Sequence, residues 1–483
     1  MNNHKVDSDL KKVQGFQTGV SEHGRPIANL GFAMLFLLGV FLYASLVHGL
    51  EGTSVFVIVA AVIGGYMAMN IGANDVANNI GPAVGSKALT MVGALIIAAV
   101  FEASGALLAG GDVVSTIRKG IIDPSGISDQ MVFIWAMMSA LLAAALWLNL
   151  ATYVGAPVST THSIVGGVVG AGIAAAGASS VAWGKLAAIA ASWVISPLLG
   201  GVIAAGFLYF IKRNILWQDD MLAASRRWVP VLVAIMSAAF TLYLATKGLA
   251  KVWKPDVVSM WAITALVAFA TWLATKPLVA RRSLVLENRR KSVASLFTIP
   301  LIFSAALLSF AHGANDVANA VGPLAAIVSV AADSSGTDQV SIPLWVMIIG
   351  AIGISIGLML FGPKLIRTVG EKITKLNQMR AFCVALAAAI TVIAASWLGL
   401  PVSSTHIAVG GVFGVGFLRE YLTNKGSDAK GRPTKKERRA REKRKLVRRR
   451  EMLTIAAAWI ITVPVAGMLS AGLFFVLYNV FEG

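Results

Sequence analysis

Cysteine is almost absent. The lone Cys383 in 483 residues excludes an intrachain disulfide and a cysteine metal cluster, and its place in the apolar run 382–390 is that of an inert buried thiol. Charge is nearly as scarce: 13% of residues are charged against 57% hydrophobic, which excludes an ordinary soluble globule. Many apolar runs approach the roughly 20 residues that a membrane helix needs. Acidic residues are the scarcer charge, 23 against 41 Lys and Arg. The formal +18 does not point to nucleic acid, because residues 425–450 alone hold 14 basic and 3 acidic side chains, a net +11. A basic loop between membrane helices is what the positive-inside bias produces, so this loop is assigned to the cytoplasm, where it can meet anionic lipid. Residues 1–27 are polar and precede the apolar run 30–47, which reads as a cytoplasmic tail and a retained helix rather than a cleaved leader.

What is present is a series of apolar spans that repeats. The expected layout is a tail (1–27), an extra transmembrane helix (28–48), a first repeat (54–211), a linker with two transmembrane helices (212–291) and a second repeat (292–481) interrupted by the basic loop 422–451. Gly105, Gly110 and Thr116 match Gly357, Gly362 and Thr368 at an offset of 252, and Trp193, Ile195, Gly201 and Gly206 match Trp459, Ile461, Gly467 and Gly472 at 266. The loop carrying Arg118 and Lys119 corresponds to one with Lys364, Arg367, Lys372, Lys375 and Arg380, so equivalent loops are expected on opposite faces of the membrane. The fold class is therefore an all-α polytopic membrane protein. It is expected to hold two inverted-topology repeats with broken helices and helical hairpins, and about 10–12 spans. The C-terminus then falls outside the cell membrane, opposite the tail and the basic loop.

The polar residues within the spans are concentrated in two motifs, each present twice. Gly72-Ala73-Asn74-Asp75-Val76-Ala77-Asn78-Asn79 returns 241 positions later as Gly313-Ala314-Asn315-Asp316-Val317-Ala318-Asn319-Ala320. Each copy follows an apolar run and precedes Gly-Pro (Gly81-Pro82, Gly322-Pro323), which predicts a helix broken at the octet. A carboxylate near the bilayer centre costs about 2.5–3.5 kcal/mol on insertion scales, so two at equivalent places are expected to face an ion or substrate path. The second motif is Pro157-Val158-Ser159-Thr160-Thr161-His162, matched by Pro401-Val402-Ser403-Ser404-Thr405-His406. Proline suits the first turn of a helix, and the hydroxyls that follow can donate to an anion or offer oxygens to a cation.

The four motif copies, in this order, resemble the inorganic phosphate transporter family, and the likeness covers nearly all of the chain from about residue 54 except the linker and the basic insert. The resemblance implies a secondary transporter, not an enzyme, importing phosphate with Na+ or H+ through alternating access. It implies no further cofactor. The implied phosphate site comprises Asn74, Asp75, Ser159, Thr160, Thr161, Asn315, Asp316, Ser403, Ser404 and Thr405. The implied coupling-ion site comprises Asp75, Asn78, Asp316, Asn319 and Glu102, with Na+ at Asp75 and Asp316. Partners are phosphate, the coupling cation and the bilayer, no nucleic acid is expected, and a homodimer is left open.

Several residues stand outside this pattern. Glu102 lies where family members carry a functional glutamate, yet its counterpart is Ile354, so its role is asymmetric. His162 and His406 close their motifs, and His312 precedes only the second octet, with Ile71 in its place in the first; no role is assigned to it. Sulfate is the alternative substrate on the same fold, and a receptor that binds without transport is a further class. A hydrolase using paired aspartates lacks metal-ligand spacing or an activated nucleophile.

Overall fold

The computed structural model describes residues 25–122, 127, 129–156, 158–248, 255–332, 342–368, 376–428 and 449–481. The expected tail up to residue 24, Pro157 and the centre of the basic loop (429–448) lie outside the described residues. The described chain is helical apart from one isolated bridge between Ile122 and Val181. In order the helices are α1 (Arg25–His48), α2 (Ser54–Gly85), α3 (Met91–Ala109), α4 (Gly111–Gly120), α5 (Gln130–Val154), α6 (Thr160–Ala176), α7 (Trp183–Ile211), α8 (Met221–Tyr243) and α9 (Val257–Leu284). They continue as α10 (Arg290–Leu296), α11 (Thr298–Asp316), α12 (Ala318–Ala331), α13 (Leu344–Thr368), α14 (Gln378–Trp397), α15 (Ser404–Asp428) and α16 (Arg449–Phe481). Among the described residues, 11 helical segments are long and apolar enough to cross a membrane.

Helix ends follow local chemistry. Asp129 and Asp256 accept from the first amides of α5 and α9, and Asn377 does so for α14. Gly155 ends α5 at φ 74, a left-handed conformation that glycine adopts without a Cβ penalty. One expectation is corrected: α2 passes unbroken through the first octet and beyond Pro82. Proline removes one amide donor, so the ladder loses a single bond and the helix continues on either side. The second octet does not break either: the interruption at Val317 keeps helical φ −56 and ψ −31, and Val321 N still bonds to the Val317 carbonyl, so α11 and α12 continue as one span, Thr298–Ala331.

The bundle is interleaved. Helix α2 packs along α13 while α11 packs along α3, and α6 packs along α16 while α15 packs along α7. Glycines permit these close crossings. A Cβ on Gly72 or Gly357 would strike the carbonyls of Ile354 and Met69, and one on Gly313 or Gly105 would strike those of Glu102 and Phe310. The same holds for Gly166 and Gly170 against Val463 and Gly467, and for Gly410 and Gly414 against Pro197 and Gly201. Each contact in one half has a partner in the other, at offsets of 241, 244, 252 and 266, so the duplication is also a duplication of packing. The octets and the starts of α6 and α15 meet at the centre of this arrangement.

Candidate functional site

At the centre, each half reaches across to the other's carboxylate. Thr405 Oγ1 donates to Asp75 Oδ1 at 3.1 Å and accepts from Asn78 Nδ2 at 2.7 Å. In the reverse sense Thr160 Oγ1 donates to Asp316 Oδ2 at 3.2 Å, and Asn319 Nδ2 donates to both Thr160 and Thr161 hydroxyls at 3.3 Å. Ser404 Oγ lies 3.5 Å from the same Asp316 oxygen, and Thr161 donates to the Val402 carbonyl at 3.0 Å. Asp75 and Asp316 are fully buried. The structure therefore brings together Asp75, Asn78, Thr160, Thr161, Asp316, Asn319, Ser404 and Thr405.

Four other expected site residues are engaged in scaffolding. Asn74 Nδ2 donates to Thr152 Oγ1 (3.0 Å) and the Ala156 carbonyl (3.3 Å), and its Oδ1 accepts from Val158 N. Asn315 repeats this with Ser396 Oγ (2.9 Å), the Leu400 carbonyl (3.1 Å) and Val402 N. These amides clamp the loops that deliver α6 and α15. Ser159 and Ser403 are helix caps, accepting from the amides of His162 and His406. Each cap satisfies one first-turn amide of its helix and leaves the earlier ones without an intrahelical partner.

Glu102 joins the cluster through His312. Its Oε1 accepts from Asn79 Nδ2 at 2.8 Å, and Oε2 lies 3.1 Å from His312 Nδ1. His312 Nε2 is 3.1 Å from Asp316 Oδ2 and 3.6 Å from Asp75 Oδ2. These approaches are close contacts without hydrogen-bond alignment, since both ring nitrogens, Asp75 Oδ2 and Glu102 Oε2 lack an aligned partner. Sequence reasoning assigned His312 no role, and it counted Asn79 among the polar groups of the first octet without including it in the site. The available signal was spacing: His312 stands four residues before Asp316, on the same face of α11.

The cluster is rich in acceptors. Asp75 Oδ2, Asn79 Oδ1, Glu102 Oε2, Asp316 Oδ1 and Asn319 Oδ1 are buried without a donor. Asp75, His312 and Asp316 present ligand atoms within 4.8 Å of one another. Buried acceptors in such surplus match a hard cation, which takes carboxylate, amide and hydroxyl oxygens.

Below the caps, His162 and His406 meet edge to face at 4.5 Å, flanked by Trp193 and Trp459 at 3.9 and 3.6 Å. His162 Nδ1 contacts the Trp459 carbonyl at 3.2 Å, and Trp193 Nε1 donates to the Pro401 carbonyl at 3.1 Å. Their counterparts, His406 Nδ1 and Trp459 Nε1, have no hydrogen-bond partner among the described residues.

Fold and site together define a polytopic α-helical membrane protein. Two duplicated halves meet at a buried cluster of carboxylates, amides and hydroxyls inside the bundle. The family model described as "Phosphate transporter family" matches residues 71–470. A Helicobacter pylori (strain J99) protein named "Putative phosphate permease" is 53% identical over 417 residues, covering 86% of this chain and 78% of that one. A Pyrococcus abyssi protein carrying the same permease name is 36% identical over 434 residues, covering 88% and 98%. Among solved structures, "The sodium-dependent phosphate transporter" superposes with a TM-score of 0.80 at 34% identity, over 88% of this chain and all of that one. The chain belongs to the phosphate transporter family, a family of transporters rather than enzymes, and its function is phosphate transport.

Proposed function

We propose that the protein imports inorganic phosphate across the cell membrane as a symporter with a cation, and that the cation is sodium. The observation that carries this reading is the excess of donor-less oxygens around Asp75 and Asp316. A cation placed among them satisfies the oxygens and supplies a positive charge beside the anion. Neutralising the two ions together reduces the cost of removing each from water. The phosphate itself needs donors. The hydroxyls of Thr160, Thr161, Ser404 and Thr405 and the N-termini of α6 and α15 supply them, with the positive ends of both helix dipoles. These hydroxyls donate to Asp75, Asp316 and a carbonyl in the structure, so binding would turn them toward the anion.

Alternating access follows from two halves inserted in opposite senses, each exposing the shared cluster when it rocks against the other. The basic loop 422–451 and the N-terminus then lie in the cytoplasm and the C-terminus outside. The test is radiolabelled phosphate uptake into proteoliposomes under imposed sodium and proton gradients in turn. Accumulation driven by sodium, undiminished by excess sulfate, is expected. A proton gradient that suffices alone would transfer coupling to H+. Phosphate binding without accumulation under either gradient would leave a receptor.

A further inference from the structure

A cavity of about 1000 Å³ lies under α1, bounded by α2, α5 and α13. One wall is apolar, from α1 and α13. The other carries Asn70, Asn149 and Thr152, with Asn149 Nδ2 donating to Asn70 Oδ1 at 3.3 Å. Lys364 and Arg367 line its outer end, and no described lining residue is acidic. Its inner end reaches Ala73 and Thr152. There Thr152 Oγ1 accepts from Asn74 Nδ2 at 3.0 Å, and Asn74 precedes Asp75 in the chain. The volume suits an anion with its water, since a water occupies about 30 Å³.

The equivalent place in the other half is filled. The counterparts of Ala73, Met69, Asn149 and Phe361 are Ala314, Phe310, Ile393 and Ala109, and these four pack with Phe240 and Tyr243 from the end of α8 and Leu244 just after it. Phe240 and Tyr243 meet Phe310 edge to face at 5.2 and 6.1 Å. Asp112, the counterpart of Lys364, is ion-paired to Lys247 in the π-helical turn Leu244–Gly248. The linker thus plugs one chamber, whereas α1 roofs the other without filling it. Asn29 Nδ2 fastens that roof to the Leu360 carbonyl at 2.6 Å.

We propose that the cavity under α1 is a cytoplasmic vestibule for free inorganic phosphate, a second and shallower site between the central cluster and the cytoplasm, open in this conformation while its twin is shut by the linker. The proposal rests on the transport reading for its substrate. Its geometry does not depend on that reading. Lys364 and Arg367 concentrate the anion at the mouth, the amides of Asn70 and Asn149 offer neutral donors, and the Asn74–Thr152 bond is the inner wall that must open. A phospholipid headgroup carries the same phosphate chemistry, and the experiment separates the two sources.

The test uses the full chain in proteoliposomes of zwitterionic lipid, with native Cys383 fully buried as a silent background. Asn149→Cys is expected to react with a membrane-impermeant thiol reagent from one face only, and inorganic phosphate is expected to slow that reaction. Leu30→Cys, on the roof, repeats the measurement without altering the polar wall. Ile393→Cys, in the plugged chamber, is expected to stay unreactive from both faces. The pair Lys364→Gln and Arg367→Gln should raise the phosphate concentration for half-protection about tenfold. Unreactive Asn149→Cys and Leu30→Cys, unchanged half-protection in the double variant, or protection that arises only when anionic phospholipid is added would each overturn the proposal. Absent phosphate uptake in the unmodified protein would remove the transport reading instead, and would leave the one-sided labelling as measured.

Discussion

Removing His312 tests the central cluster most directly. Its ring lies 3.1 Å from Asp316, 3.1 Å from Glu102 and 3.6 Å from Asp75, and all four side chains are fully buried. His312→Ala leaves three carboxylates facing one another across the space the ring occupied. Removing one partner of a buried ionic group costs about 3–5 kcal/mol, and at about 1.4 kcal/mol per tenfold this is two to nearly four decades in the folding equilibrium. A cation bound among the carboxylates offsets part of the loss, because a ligand at a hundred times its Kd stabilises by about 2.7 kcal/mol. The assay is unfolding of the purified full chain in detergent as sodium replaces choline at constant ionic strength. His312→Ala is expected to show its full deficit without sodium and a markedly smaller one in saturating sodium, while the wild type responds less. His312→Gln, which keeps one donor, should fall between them. A His312→Ala protein within about 0.5 kcal/mol of wild type in sodium-free buffer, the range of ordinary surface changes, would refute the reasoning.

Asp75→Asn and Asp316→Asn each keep the shape of the site but remove a cation ligand's charge, so concentrative uptake should vanish while insertion persists; near-normal accumulation in either would remove both assignments. Ser159→Ala and Ser403→Ala remove caps rather than substrate ligands, so each should cost about 1 kcal/mol of stability and change phosphate half-saturation little, as read by unfolding and uptake on the same preparation. Gly313→Ala places a methyl against the Glu102 carbonyl, and overpacking of that kind costs about 1–3 kcal/mol. Because the same contact positions Glu102 beside His312, the loss should appear in sodium dependence as well as in melting.

Much of the site was legible in the sequence because membrane burial makes polar residues expensive. In a chain this apolar, two octets and two hydroxyl motifs stand out, and their duplication points to one composite pocket. Asp75, Asp316, Thr160, Thr161, Ser404, Thr405, Asn78 and Asn319 do converge. Side-chain destination was not legible. Asn74 and Asn315 look like ligands beside their aspartates, yet one residue is about 100° of helix turn, which carries their amides to the loops before α6 and α15. Glu102 could be located in the sequence, but its bond to Asn79 and its approach to His312 depend on how α3 crosses α2 and α11.

The chain alone determined that this is a membrane bundle of two duplicated halves with paired carboxylates and hydroxyls in its spans, because composition and repetition are properties of the linear chain and the bilayer penalises every buried polar group. Only the tertiary structure decided that each half's hydroxyl serves the other half's aspartate. It alone brought an unpaired motif histidine among three carboxylates, and it left one chamber open beneath α1 while α8 filled its twin. The physical reason is that these outcomes depend on which helices cross, at what depth and on which face. Close packing through glycine settles that between segments far apart in sequence, as at Gly72 with Ile354 and Gly313 with Glu102.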